Sequence, residues 1–492
     1  MQRLKTLFLL IALLASFSFG AAWMGATSKP ESTQTIDGKK FYVITTPEEL
    51  AWFADQVNAG NNSINAVLAN DIVFGKDTAS VNAKYAWTPI GEDSLHAFRG
   101  ILDGAGYSIY GVYTDPTIKY GGLVGGLDSA GVVRNVNMKR DSINANKYAG
   151  GIVSYNDGGT VSGCTNEGSV SVSSDSYAGG VVGYNGGTVS DCANEGSVSG
   201  STAGGIVCYN YGTVSGCMNS GSVSAAFAMF AYVGGIVCYN YGTVSDCSNS
   251  GGVTVSANPE SYSMNFSIGG IVGLNSGSEA LVKNSYSRTN TLAVDKDCQY
   301  SSCNMGGVVG RNMDSAKIIN CYYASDVLYD VSTIGENSAT LTDVSGMTTA
   351  NMRRDQFVLI LNTTNGSEES SGVWSRDGGY PIIADVGAAS SSSGVANSSS
   401  SASSSSSGAG SSSSSGSTAF HVTAQPRFNL QVQNRTIWVQ NVRMGESFAV
   451  FDVQGHLLRR GVVNSTEQSI TLQNAGAYIV RVGTETMRVR VK

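Results

Sequence analysis

The sequence predicts an all-β protein: a parallel β-helix (β-solenoid) with short helical caps, a Ser-rich linker and a small C-terminal Ig-like β-sandwich. Three observations carry that reading. A glycine pair followed by two aliphatic residues recurs at Gly121, Gly150, Gly179, Gly204, Gly234, Gly269 and Gly306, at intervals of 29, 29, 25, 30, 35 and 37 residues. A second piece recurs between the pairs, as in GTVSGCTNEGSVS from Gly159 and GTVSDCANEGSVS from Gly187. The strand-like runs within a unit are three to five residues long and are separated by Gly or Asn, which tolerate sharp bends. Strands that short gain a hydrogen-bonded ladder only when stacked on the same strand of the next unit, which is the logic of a solenoid.

The elements follow in order. Residues 1–22 read as an export signal: Arg3 and Lys5 precede a short apolar run, and Gly20 and Ala22 offer small residues for cleavage. In TTPEELAWFADQVNAG, Thr46 is placed to cap a helix, Pro47 suits its first position and Glu49 can close a capping box. Leu50, Phe53, Ala54 and Val57 then share one face. The solenoid spans 41–386, with its core repeats at about 121–325. TTANMRRDQFVLILN reads as one amphipathic helix with Met352, Phe357, Ile360 and Leu361 inward, and GVWSRDGGYPIIAD as a closing strand, because a solenoid end needs a cap. Residues 387–418 form the flexible linker: 19 of the 28 residues in 390–417 are Ser. Residues 419–492 alternate as strands of the sandwich.

Charge divides unevenly. The whole chain carries −7, and 419–492 holds nine Lys or Arg against four Asp or Glu, so the remainder carries −12. An acidic body argues against nucleic acid as a partner. The three histidines, His96, His421 and His456, are scattered, and the spacing of residues calls for no metal and no cofactor.

The unit G-G-I/V-V-G/C-Y-N followed by G-T-V-S-x-C-x-N-x-G-x-V resembles the GLUG motif of bacterial surface and secreted proteins, and the lead-in helix and strands fit that resemblance over about Phe41 to Val386. The resemblance implies a right-handed parallel β-helix used in adhesins and as an accessory region of some secreted peptidases, without implying an activity. The C-terminal segments SFAVFDVQGHLLRRGVV, LQNAGAYIVRVG and MRVRVK resemble the sorting domain of type IX secretion. That resemblance implies Sec export to the periplasm, secretion machinery as a partner, and delivery outside the cell or to the cell surface.

Equal positions in successive units stack into columns about 4.8 Å apart. Cys164, Cys192, Cys217 and Cys247, continuing to Ser285 and Cys321, form one such column, and Cys208 and Cys238 another. Both read as buried small residues, because stacked side chains point the same way and suit a bridge poorly, although disulfides between the two columns stay open. The insertion CQYSSC makes Cys298 and Cys303 the disulfide candidate. Two asparagine columns, Asn156 to Asn312 and Asn166 to Asn249, read as structural amide ladders. Tyr155, Tyr184, Tyr209 and Tyr239 form a column that continues to Arg311 and therefore faces outward. This stripe is the candidate binding site, for sugar rings or another protein; the competing reading is a mutually stacked ladder that stiffens the sheet.

The expected function is a non-enzymatic adhesin or binding scaffold for polysaccharide, cells or other proteins, with no catalytic residues. Two alternatives stand beside it. One is a polysaccharide-degrading enzyme using the equivalent pair Glu167 and Glu195, with Asp191 and Asp246 too far apart. The other is a purely structural spacer.

Overall fold

The computed structural model describes residues 22–77, 79–93, 95–173, 176–228, 230–257, 265–295, 302–362, 373–376 and 379–383, together with seven strands between 429 and 491. The expected export signal, apart from Ala22, and the Ser-rich linker lie outside the described residues. The chain divides into two compact units, one of Met1–Arg353 and Ile360–Ser390, the other of Arg354–Leu359 and Ser391–Lys492.

The first unit is a parallel β-helix. It opens with an antiparallel hairpin, β1 (Thr33–Ile36) with β2 (Lys39–Ile44), followed by helix α1 (Pro47–Asn58). Thr46 caps α1 as expected, its hydroxyl accepting from the Glu49 amide at 3.3 Å, and Leu50, Phe53, Ala54 and Val57 are buried. Glu49 departs from a capping box: its carboxylate takes the Thr45 amide at 2.6 Å and the Thr45 hydroxyl at 2.8 Å. It thereby ties α1 to the end of β2 and not to its own cap. β3 (Asn65–Leu68) then lies parallel to β2 and starts the stack.

Three sheets wall the solenoid, of 20, 14 and 6 strands. The three runs expected per unit map onto these three sheets, but two of them are split. In one representative rung, Tyr148–Gly150 and Val153–Asp157 belong to the 14-stranded sheet, Thr160–Ser162 and Thr165–Asn166 to the 20-stranded sheet, and Ser169–Val172 to the 6-stranded sheet. The first split falls at the glycine pair. A Cβ on Gly235 would press into the amide of Asn249 and the carbonyl of Gly270, so the rungs can stack this closely only where the side chain is absent.

The second split is a left-handed residue between the two strands of the 20-stranded sheet, which in the last two rungs falls inside the continuous strands Lys317–Ala324 and Thr340–Met347. Asn135, Gly163, Asp191, Gly216, Asp246, Asn284, Asn320 and Asp343 occupy it in successive rungs, with φ between 48° and 62°. Gly, Asn and Asp adopt that conformation at least cost. Asp191 and Asp246 are therefore turn residues, and the Asn284 amide reaches Asp246 at 3.4 Å.

The core is built from columns. Val133, Val161, Val189, Val214, Val244, Val282 and Ile318 stand in register and are fully buried. Burying such side chains stabilises by about 1.5–3 kcal/mol each relative to exposure. Two asparagine ladders run beside them. Asn156, Asn185, Asn210, Asn240, Asn275, Asn312 and Asn337 each pass an amide proton to the next at 2.8 Å. Asn166, Asn194, Asn219 and Asn249 do the same at 2.8 Å.

At the far end, the single helix expected there is two: Thr349–Met352 and Asp355–Asn362. Met352 and Leu361 are buried, whereas Ile360 is only half-buried. The closing strand is a short antiparallel pair, Trp374–Ser375 with Ile382–Ile383. Asn362 exchanges two hydrogen bonds with the Trp374 backbone, both 2.9 Å. Among the described residues no helix is long and apolar enough to cross a membrane.

The second unit holds two antiparallel sheets. One orders Asn429–Gln433, Thr436–Gln440 and Glu467–Thr471; the other orders Leu457–Val462, Ser447–Asp452, Gly476–Val482 and Glu485–Val491. Among its described residues Ile437, Val439, Val450, Ile470, Tyr478 and Val480 are buried on these strands, as alternation predicts.

Candidate functional site: a tyrosine face on the 14-stranded sheet

Each rung enters the 14-stranded sheet on one short strand, bends at the glycine pair and leaves on a second. On the second strand Val153, Val182, Val207 and Val237 are fully buried, whereas Tyr155, Tyr184, Tyr209 and Tyr239, two residues further on, stand in register and half-buried. The column continues outward to Gly126 on one side and to Leu274, Arg311 and Glu336 on the other, where Arg311 and Glu336 pair at 2.7 Å.

The four rings are part of a larger array. The first strand of the rung adds Tyr120, Tyr148, Tyr177 and Tyr232, and the turn after the second strand adds Tyr211 and Tyr241. Tyr155 and Tyr184 stack at 4.4 Å and 7°, Tyr209 and Tyr239 at 4.3 Å, Tyr148 and Tyr177 at 5.2 Å, and Tyr211 and Tyr241 at 4.9 Å. Contacts between columns close the array: Tyr177 meets Tyr209 edge-on at 4.8 Å, Tyr232 lies 4.5 Å from Tyr239, and Tyr184 lies 5.7 Å from Tyr211. Ten tyrosines thus form one connected face across five rungs, about 19 Å along the stack at the usual strand spacing.

Stacking consumes the ring faces, so the array shows solvent mainly ring edges and hydroxyls. Tyr211, at 52% exposure, is its most open ring. Burial pushes the phenols of Tyr155, Tyr209 and Tyr239 well up, and neighbouring tyrosines add to the shift. Lys119 sits 4.6 Å over Tyr120 and Lys147 5.3 Å over Tyr148, giving the leading edge a positive rim.

Four of these rings had a legible signal that the column reading missed. Tyr148, Tyr177 and Tyr232 each stand two residues before a glycine pair, and Tyr120 immediately before one. Thr202 interrupts that column, which is why it does not read as a stripe.

The cysteines require a correction. Cys208 and Cys238 are disulfide-bonded, with Cα atoms 4.8 Å apart. Stacked positions at strand spacing fall inside the range a disulfide spans. This column also sits in the crook of the bent sheet, where Ser154 and Gly183 precede it and the Ser154 hydroxyl donates to the Tyr148 carbonyl at 2.8 Å. The other column behaves as expected: Cys164, Cys192, Cys217, Cys247 and Cys321 are free and fully buried. Cys303 is disulfide-bonded, and Cys298 lies outside the described residues.

Glu167 and Glu195 occupy equal positions on adjacent rungs, as expected. Glu167 pairs with Lys139 at 2.8 Å. Among the described residues no group of three or more His, Cys, Asp or Glu is placed to hold a metal ion.

The fold and the columns define a repeat protein of the parallel β-helix class. Residues 145–171 and 231–256 match the GLUG motif, so the repeat is a GLUG repeat. No curated protein matches the chain. Among solved structures, a protein from Bacteroides ovatus named, provisionally, an immunoglobulin A1 protease is similar at 16% identity and a TM-score of 0.42, over 72% of this chain and 95% of that one. This finding corrects the expectation of a chain without enzymatic activity: a structure similar to this one bears a peptidase's name, and the exclusion of enzymatic activity does not stand.

Proposed function

We propose that the chain is an adhesin-type binding scaffold that holds polysaccharide on the tyrosine face of its solenoid. The observation that carries this reading is the connected array of ten tyrosines on one side of a rigid ladder. Tyrosine supplies large, rigid, amphipathic contact area at low entropic cost. Mutual stacking fixes each ring before a ligand arrives, which lowers the ordering cost of binding. Hydroxyls repeated at the rung spacing offer a polymer many equivalent contacts, so weak single contacts add by multivalency.

Placement outside the cell belongs to the same proposal. The N-terminal signal takes the chain to the periplasm, and the sandwich at 419–492 acts as the sorting module that meets the secretion machinery.

Two experiments test the reading. The secreted body is incubated with insoluble glycans and with cells, and compared with a variant carrying Tyr155→Ala, Tyr184→Ala, Tyr209→Ala and Tyr239→Ala. Loss of retention supports the reading, whereas unaltered binding to both overturns it. Cells expressing a chain without 419–492 are fractionated: periplasmic retention supports sorting, and normal surface delivery removes it.

A further inference from the structure

A cleft opens at the N-terminal cap, lined by none of the ten tyrosines of the array. The β1–β2 hairpin brings Lys39 and Lys40 to the start of β2, which runs parallel to β3, which in turn runs parallel to Ile101–Asp103. Asn65 locks these strands together: its amide donates to the Lys40 carbonyl at 2.9 Å, and its side-chain oxygen accepts from the Ile101 amide at 2.9 Å. Over this floor the cleft opens to about 480 Å³, and its lining includes the cations Lys39, Lys40 and Arg99 and the apolar or aromatic residues Tyr42, Ile64 and Ile101. That volume is within the range of small-ligand sites, about 300–1,000 Å³.

The charge balance of the cleft is opposite to that of the body around it. Three cations line it and no carboxylate does. Arg99 has one acidic neighbour, Asp128, at 3.3 Å from Nε. Among the described residues neither lysine pairs with a carboxylate, and Lys40 rests 5.4 Å from the Tyr42 ring. Solvated surface lysines are common, but a concave group of three cations beside apolar walls, on a body carrying −12, is a built arrangement.

We propose that this cleft binds a short anionic saccharide, such as the charged terminal unit of a glycan. The three cations meet the anionic group, and Ile64, Ile101 and Tyr42 meet the apolar face of the sugar ring. A bare inorganic anion has no use for the apolar wall. A long polyanion extends out of the cleft over the acidic body, within the screening length of about 8 Å at physiological salt, and is repelled there. The site is independent of the tyrosine face.

The test is calorimetric titration of the full chain with four probes: a glucuronate-terminated disaccharide, a sulfated disaccharide, a neutral disaccharide and inorganic phosphate. Binding of the two charged sugars, with the neutral sugar and phosphate at least about ten-fold weaker, supports the proposal, and the stronger of the two tells carboxylate from sulfate ester. Lys39→Gln, Lys40→Gln and Arg99→Gln combined weaken the charged sugar at least about ten-fold, at a cost of about 1.4 kcal/mol. Equal binding of neutral and charged sugars, or a triple variant that binds as the parent does, overturns it. These three side chains are exposed, so the variant folds, and its circular dichroism spectrum verifies that.

Discussion

The side-chain amide of Asn210 donates to that of Asn240 at 2.8 Å, across thirty residues of sequence. Asn240 repeats the gesture to Asn275 at 2.8 Å, and its nitrogen also reaches the carbonyls of Gly242 and Leu281 at 3.0 and 3.3 Å. Every inner member of the ladder is buried. At the ladder's start the Asn156 side-chain oxygen is buried without a partner, because the preceding rung offers Leu127 there.

Asn240→Ala therefore strands the Asn275 oxygen in the same way and opens a cavity, at a cost of about 2–3 kcal/mol. Asn210 retains its bonds to the Gly212 and Thr243 carbonyls, so its own loss is partial. Asn240→Asp costs more, because a carboxylate donates nothing to three acceptors and carries a buried charge. Urea midpoints of both variants check the order: Asp below Ala, Ala below parent.

The cysteines separate into two chemical classes. The Cys208–Cys238 bridge closes a loop of thirty residues, which on the chain-entropy account stabilises by about 3–4 kcal/mol. Changing both to Ser lowers thermal stability accordingly. Cys164, Cys192 and Cys217 are held well up by burial, and the Cys321 thiol is pushed up to about 12. The thiolate is the reactive form. Alkylation at neutral pH therefore spares these thiols in the native chain, and labels them, with Cys247, once denaturant is added; mass spectrometry of the peptides reads both outcomes.

Much of this was legible in one sequence, for a physical reason. A repeat must reuse its glycine pair, its left-handed turn and its inward valines, and each leaves the same mark in every rung. The tyrosines show where that legibility stops. Tyr155 to Tyr239 share one offset from the glycine pair and read as a stripe, whereas Tyr120 has a different offset and Thr202 breaks its column. That the two strands fold toward each other at the glycines, so that their rings interlock, is a tertiary fact. The disulfide was illegible for the same reason, since the crook that holds Cys208 and Cys238 forms only after the bend. The helix break at Arg353 has no Pro or Gly to announce it.

The tyrosine face makes stability fall in alkali. In the unfolded chain a phenol ionises near about pH 10. In the folded chain burial holds Tyr155, Tyr209 and Tyr239 above that value. Between these limits the native state binds more protons than the unfolded one, so the slope of stability against pH is negative. The contribution is complete below about pH 10 and drains away as pH rises through the folded values. Tyrosinate absorbance then rises together with unfolding for the array, not ahead of it, and Tyr209→Phe with Tyr239→Phe makes the alkaline slope shallower.

Conservative variants separate the two ways in which the face can hold a ligand. Because Tyr155 and Tyr184 cover each other's faces at 4.4 Å, and Tyr209 and Tyr239 do so at 4.3 Å, a sugar cannot insert between them. It meets edges and hydroxyls. Replacing all four by Phe keeps the stack and its packing but deletes the outward hydroxyls. Each hydrogen bond lost to a neutral ligand group costs about 0.5–1.5 kcal/mol. Four losses acting together lower retention on an insoluble glycan by at least about thirty-fold, while the urea midpoint shifts little. Retention that survives the Phe series but fails in the Ala series assigns the contact to ring edges, and the measurement is a depletion isotherm on the same glycan for parent, Phe and Ala chains.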